Sequence, residues 1–324
     1  MNQPQAPDRT LWTGRVDAED GDAGRRWHQV VAPLDVRPGV ALVGFASDAG
    51  VTRNRGRPGA AEGPAALRRM LANLAWHGGA DARLYDAGDV ACHGDALEAA
   101  QAAYAGRLAG LLRAGHFPIG LGGGHEIAWA AYQGIAEALA GDERLERLGI
   151  VNFDAHLDLR APAEPGRGTS GTPFLQIAEA RAAAGLPFRY FCLGASPATN
   201  TPALFDRAER LGVEIVPDVD ANSPATDAAL ARFVAESSAI YLTFCLDVLP
   251  PAVAPGVSAP AGLGVALHRA VALLRSVLGA CGHGRPGSRL LVADVAELNP
   301  RLDPDGRTAR TAARLVYELA AIRR

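Results

Sequence analysis

Short apolar runs alternate along the chain with Ala-rich stretches in which apolar positions recur at helical spacing. The runs read as strands over 41–45, 82–86, 117–121, 148–153, 190–193, 214–216, 240–245 and 290–295. Between them, helices are expected near 62–74, 95–114, 126–139, 173–185, 203–211, 225–236, 264–279 and 308–322. Strands that are apolar at every position, rather than at every second one, are covered on both faces. Strand–helix alternation then lays them side by side in parallel. The expected architecture is α/β, with a mainly parallel sheet of about eight strands between two helical layers. No linker divides residues 36–324, so they are expected to form a single domain. Residues 1–35 lack clear periodicity and are expected to wrap its surface.

Ligands of such sheets bind at the carboxyl ends of the strands, and four of those ends carry chemistry. Behind the run Leu148-Gly149-Ile150-Val151 comes Asn152-Phe153-Asp154-Ala155-His156-Leu157-Asp158-Leu159-Arg160. In extended chain, residues i, i+2 and i+4 share a face, so Asp154, His156 and Asp158 converge. Carboxylates gathered this way repel unless a cation or a proton neutralises them. The competing reading is a solvated acidic loop. A second end, Gly122-Gly123-Gly124-His125-Glu126, delivers His125 just ahead of a helix. Its glycines permit tight turning and close approach. A phosphate cradle is the weaker reading, because neither a P-loop Lys-Ser/Thr nor dinucleotide spacing is present. The third end places Cys245 and Asp247 on one face, although Cys245 alone also reads as an ordinary buried cysteine. The fourth puts Glu297 just beyond the last strand.

Histidine and carboxylates arriving from separate strand ends suit a divalent cation. Carboxylates favour Mn²⁺ or Mg²⁺, whereas imidazole admits Zn²⁺, Fe²⁺ or Ni²⁺. Two ions roughly 3.5–4 Å apart would make a bridging hydroxide near neutral pH and aim it at an electrophilic carbon or phosphorus.

Composition narrows the partners. The 324 residues carry a net charge of −3 and no basic cluster, which argues against nucleic acid. Every basic side chain other than histidine is arginine. The four cysteines lack Cys-x-x-Cys spacing, so no disulfide framework or zinc ribbon is suggested. The polar N-terminus is unlike a signal peptide, and no apolar run is long enough for a membrane span. A cytoplasmic enzyme with a small-molecule substrate is the expectation.

Taken together, Gly-Gly-Gly-His-Glu, Asp-Ala-His-x-Asp and Glu-x-Asn-Pro resemble the ureohydrolase (arginase/agmatinase) family in order and approximate spacing, over almost the whole chain. The resemblance implies the three-layer αβα arginase-like fold, two Mn²⁺ per subunit and a homo-oligomer. It also implies one metal held by His125, Asp154 and Asp158, a second by Asp154, His156 and Asp247, and Glu297 pairing with a guanidinium or amidinium. Within the family the chain most resembles the formimidoylglutamase branch, through Val51-Thr52-Arg53-Asn54-Arg55-Gly56-Arg57, Gly59-Ala60-Ala61-Glu62-Gly63-Pro64 and Ala254-Pro255-Gly256-Val257-Ser258-Ala259-Pro260 among others. The reaction implied is metal-dependent hydrolysis of N-formimidoyl-L-glutamate to glutamate and formamide, in histidine degradation. Another guanidino or amidino acid is the alternative substrate, and a catalytically silent, metal-poor homologue the alternative role.

A substrate with one amidinium and two carboxylates needs cationic groups opposite Glu297. Arg53, Arg57 and Arg160 are the candidates, since guanidinium forks grip carboxylates. Asn54 and Ser170 are candidate hydrogen-bonding groups, and Asp154, Asp247 and Glu297 the candidate catalytic ones. Two positions depart from the family. Cys245 stands where a bridging aspartate is usual, and as a thiolate it would shift preference towards Zn²⁺, Fe²⁺ or Ni²⁺, or else it is not a ligand. Ser170 stands where arginase-like members carry a proton-shuttling histidine, and serine cannot do that near neutral pH.

Overall fold

A computed structural model describes residues 5–79, 81–285 and 287–320. Nine strands form one sheet: β1 (Ala32–Pro33), β2 (Val40–Ala46), β3 (Leu84–Ala91), β4 (Phe117–Gly122), β5 (Leu148–Phe153), β6 (Tyr190–Ala195), β7 (Glu214–Pro217), β8 (Ala239–Cys245) and β9 (Leu290–Ala296). Their order is β1-β3-β2-β4-β9-β8-β5-β6-β7, and every adjacent pair is parallel. The strand missing from the sequence reading is β1, two residues at the edge that leave no apolar run. β3 runs further than expected because Gly88, at φ +75°, and Asp89 interrupt its apolar pattern. Its register with β2 slips nearby, between Leu42 and Gly44.

Alternation along each strand divides the core. Leu42, Val151, Phe153, Phe191 and Leu193 face one layer of helices: α3 (Gly63–Ala72), α8 (Pro224–Glu236), α9 (Leu267–Ala280) and α10 (Arg307–Ala320). Ala41, Val43, Phe45, Ile150, Tyr190 and Cys192 face the other: α4 (Leu97–Arg113), α5 (Ile127–Ala138), α6 (Pro173–Ala183) and α7 (Pro202–Arg210). Pro64, Pro173, Pro202 and Pro224 occupy first turns, where the missing N–H has no helical partner to lose. Two helices too short for periodicity to show are α1 (Trp27–Val30) and α2 (Ala49–Arg53). The N-terminal segment is tied to the sheet by Trp12, whose Nε1 donates to Asp86 at 2.7 Å. Asp86 is itself buried in a pair with Arg68 at 2.8 Å. No helix among the described residues is long and apolar enough to cross a membrane.

This topology decides where the chemistry meets. β4, β9, β8 and β5 are the four consecutive strands at the middle of the sheet, and they are the four whose ends carry the candidate residues. Parallel pairing brings all four carboxyl ends to one edge.

Candidate functional site

At that edge lies a cleft of about 390 Å³ whose walls include His125, His156, Asp158, Cys245, Asp247 and Glu297. His125 leaves β4 through Gly122-Gly123-Gly124. A Cβ on Gly123 would stand 1.8 Å from the backbone oxygen of Ser47, so glycine is required there by close packing against the chain after β2. That contact accounts for the glycine run without a phosphate. The imidazole is buried, and its Nε2 lies 3.0 Å from Thr243 Oγ1. Thr243 gives its own hydrogen to Asp294 Oδ1 at 2.5 Å, so its oxygen must accept from Nε2–H. Nδ1 is left facing Asp154 Oδ2 at 2.9 Å and Asp158 Oδ2 at 3.0 Å.

Asp154 sits where β5 ends and is completely buried. Asn152 donates to its Oδ2 at 3.0 Å and the His156 backbone N–H to its Oδ1 at 2.8 Å. His156 Nδ1 lies 3.6 Å from Asp154 and 3.1 Å from Asp247. Two sets of donor atoms therefore share Asp154: His125, Asp154 and Cys245 in one, Asp154, His156 and Asp247 in the other, each within 4.8 Å of one another. Asp158 turns back towards His125 through a left-handed backbone at φ +48°.

The electrostatics are those of a site short of positive charge. Burial and the Asp154 charge push Asp158 up to about 6. Burial and then Asp154 raise Asp247 as well. Burial pushes both imidazoles down, but the neighbouring carboxylates outweigh it and hold His125 and His156 well above their ordinary range. Asp154 goes the other way, because the two imidazoles overcome its burial and keep it ionised. Burial, reinforced by Asp154, Asp247 and Glu297, raises the Cys245 thiol well above its usual value. His125 Nδ1 and Asp247 Oδ1 are buried without a hydrogen bond. Converging donors that need protons in order to coexist fit a cation that replaces those protons, and the set of imidazole, carboxylate and thiol fits a divalent transition metal.

Glu297 follows β9 at φ +71°. Its Oε1 accepts from the His125 backbone N–H at 2.8 Å, while the buried Oε2 has no partner. Burial, Glu126 and Asp247 raise this carboxyl well above its ordinary value. Such a group gains from a cationic ligand.

The arginines are distributed otherwise than expected. Arg53 does not line the cleft. Its guanidinium is engaged by Asp95 and Glu98, both at 2.6 Å, and by the carbonyls of Asp95 and Gly168. Sequence spacing could not show that the start of α4 and the turn before it supply these acids. Arg57 reaches the cleft but donates to the carbonyls of Val257 and Ser258 at 2.7 and 2.9 Å. Arg160 lines it with no hydrogen bond or ion pair from its side chain to the described residues. Asn54 and Ser170 also line it, 3.2 Å apart. Sequence reasoning passed over Arg55, Thr199, Asn200 and Ser258. Only a left-handed backbone at Arg55, which no sequence displays, sets it apart.

Relatives share this frame. The chain is 53% identical over 317 residues to a formimidoylglutamase of Ralstonia nicotianae, covering 95% of this chain and 94% of that one. The crystal structure of Trypanosoma cruzi formiminoglutamase with Mn²⁺₂ superimposes with a TM-score of 0.75 at 25% identity, covering 99% of this chain and 100% of that one. Proclavaminate amidino hydrolase from Streptomyces clavuligerus does so with a TM-score of 0.73 at 26% identity, covering 90% and 93%. The model of the Arginase family matches residues 38–321, a span that holds all four chemistry-bearing strand ends. The shared carboxylate, the strand order and this match lead to one statement: the chain belongs to the arginase family.

Proposed function

We propose that the protein hydrolyses N-formimidoyl-L-glutamate to L-glutamate and formamide, using a pair of divalent metals. The observation that carries the reading is Asp154, shared between two donor sets, one of which includes His125, whose backbone N–H holds the half-free carboxyl of Glu297. The names and metal of the relatives support it. His125, Asp154, Asp158 and Cys245 would hold one metal, and Asp154, His156 and Asp247 the other. When bound, such a pair supplies Lewis acidity and lowers the pKa of water.

The protein's own groups do the rest. Glu297 Oε2 faces the amidinium and fixes the formimidoyl carbon against the floor of the cleft, a positioning contribution of the kind that replaces lost entropy. Asp247, at the same end of the cleft, is the candidate carrier for the proton that the departing amine of glutamate takes up. Arg160 takes the carboxylate nearest that amine, and Asn54 and Ser170 add hydrogen bonds beside it. Ser170 in place of a histidine leaves no imidazole there to deliver a proton, which favours a formimidoyl over a guanidino substrate.

The test is formamide release from N-formimidoyl-L-glutamate, set beside urea release from L-arginine and agmatine, after loading with Mn²⁺, Zn²⁺, Fe²⁺ or Ni²⁺. Formamide release with elemental analysis showing bound metal is the expected outcome. Urea release in preference to formamide, or a protein that stays metal-free and inactive in all four, overturns the reading.

A further inference from the structure

Three non-glycine residues among those described have a left-handed backbone: Arg55 at φ +61°, Asp158 at +48° and Glu297 at +71°. All three line the same cleft. Backbone strain of this kind persists where surrounding structure enforces it, and it concentrates at functional sites. Two of the three already have chemistry to perform. Arg55 has none assigned.

Its strain has a definite local origin. α2 ends in a Schellman turn: the Gly56 N–H donates to Val51 O at 2.8 Å and the Arg55 N–H to Thr52 O at 3.0 Å. In that motif the left-handed residue is normally glycine, and here it is arginine. Glycine comes one position later, where a Cβ would meet Ser258 Oγ at 2.5 Å and Val51 Cγ1 at 2.8 Å. So the glycine serves packing while the strained position carries a long cation. For folding alone glycine would be the better residue at 55.

The guanidinium at this position is also free. The side chain of Arg55 is exposed, lines the cleft, and makes no hydrogen bond or ion pair with the described residues. Arg53, two positions before it, is neutralised by Asp95 and Glu98. Arg57, two positions after, spends donors on backbone carbonyls. Arg55 and Arg160 thus face the cleft from different elements, as two cations above an acidic floor. Arg160 lies two residues from Asp158 and so rises beside the metal donors. Arg55 comes from the loop after α2.

We propose that Arg55 is the specificity residue that takes the side-chain carboxylate of the substrate. The inference rests on the reaction given under Proposed function, in which two methylenes carry that carboxylate away from the reacting end. It makes the enzyme selective for a dianionic amidino acid, with Arg160 left to the carboxylate next to the amine.

The experiment compares wild type with Arg55→Gly on two substrates. One is N-formimidoyl-L-glutamate; the other is N-formimidoyl-L-norvaline, in which a methyl replaces the side-chain carboxylate. The expected result is a loss of about 10- to 100-fold in kcat/KM on the glutamate compound, the range of a charge-assisted hydrogen bond, with less than about threefold on the norvaline compound. The melting temperature should hold or rise by about 1–3 °C, because strain is relieved. Calorimetric titration with L-glutamate and L-norvaline should repeat the split without turnover. Equal losses on both substrates, or no loss on the glutamate compound, overturn the assignment of Arg55 while leaving the reaction intact. A metal-loaded wild type that releases formamide from neither compound overturns the reaction itself, and the assignment with it.

Discussion

Thr243 decides which nitrogen of His125 faces Asp154. Its hydroxyl donates to Asp294 Oδ1 at 2.5 Å and must therefore accept from His125 Nε2 at 3.0 Å. Nδ1 is then the nitrogen turned to Asp154 at 2.9 Å and Asp158 at 3.0 Å, available to a metal once its proton has left. Partners that fix a ligating histidine in this way typically change metal affinity by about 10- to 100-fold. Thr243→Val should lose that much, read by competition with a chelator, and Thr243→Ser should recover most of it. A valine variant that binds metal as well as wild type would refute the arrangement.

The second prediction concerns the cost of assembling Asp154, Asp158 and Asp247 in one buried place. A metal that binds only the folded state stabilises it by about 2.7 kcal/mol at a hundred times its dissociation constant. Mn²⁺ should raise the unfolding temperature of the wild type, and Asp154→Asn should abolish that gain. Without metal the variant should be less stable than the wild type, because His125 and His156 lose the carboxylate that they keep ionised. Calorimetric scans with and without a chelator check both arms, and a Mn²⁺-dependent gain that survives in the variant counts against the account.

The third prediction concerns the metal preference. Cys245 belongs to the donor set of His125 and Asp154, and its thiol stays protonated until a cation displaces the hydrogen. Sulfur favours softer ions than carboxylate oxygen does. Cys245→Asp should therefore raise the ratio of Mn²⁺ to Zn²⁺ bound in competition by about tenfold or more, as measured by elemental analysis. An unchanged ratio would place the sulfur outside the ligand set.

Much of this was legible in the sequence, for a simple reason. β4, β5, β8 and β9 are apolar at nearly every position because both faces are covered, so each strand and its polar terminus stand out against the chain. His125, Asp154, His156, Asp158, Asp247 and Glu297 could all be found that way. The buried polar residues inside strands, Asn152, Thr243 and Asp294, were harder to read, since they serve a site at the end of the strand. The arginines were harder still. Arg53, Arg55 and Arg57 are alike in sequence, and only tertiary structure shows that Asp95 and Glu98 neutralise the first while the second stands free. β1 escaped because two residues cannot carry a pattern.

The last prediction lies at the opposite end of the sheet. His283 precedes β9, packs on Phe117 with ring centroids 4.4 Å apart, and its Nε2 lies 2.7 Å from Leu319 O. Burial pushes its pKa down, and the bond to Leu319 only partly offsets this. His116, before β4, is lowered in the same direction, also by burial. A depressed histidine makes the unfolded chain take up its proton first. Its stabilising contribution is therefore complete above about pH 6.5, the ordinary histidine value, and is lost as pH falls towards the folded-state value. Urea midpoints should decline from pH 7 to pH 5. His283→Gln keeps a side-chain donor for Leu319 but cannot be protonated, so it should flatten that decline. Because His283 stands away from the cleft, the pH profile of formamide release should not move in this variant. If the decline keeps its full slope after the exchange, His283 is not its source.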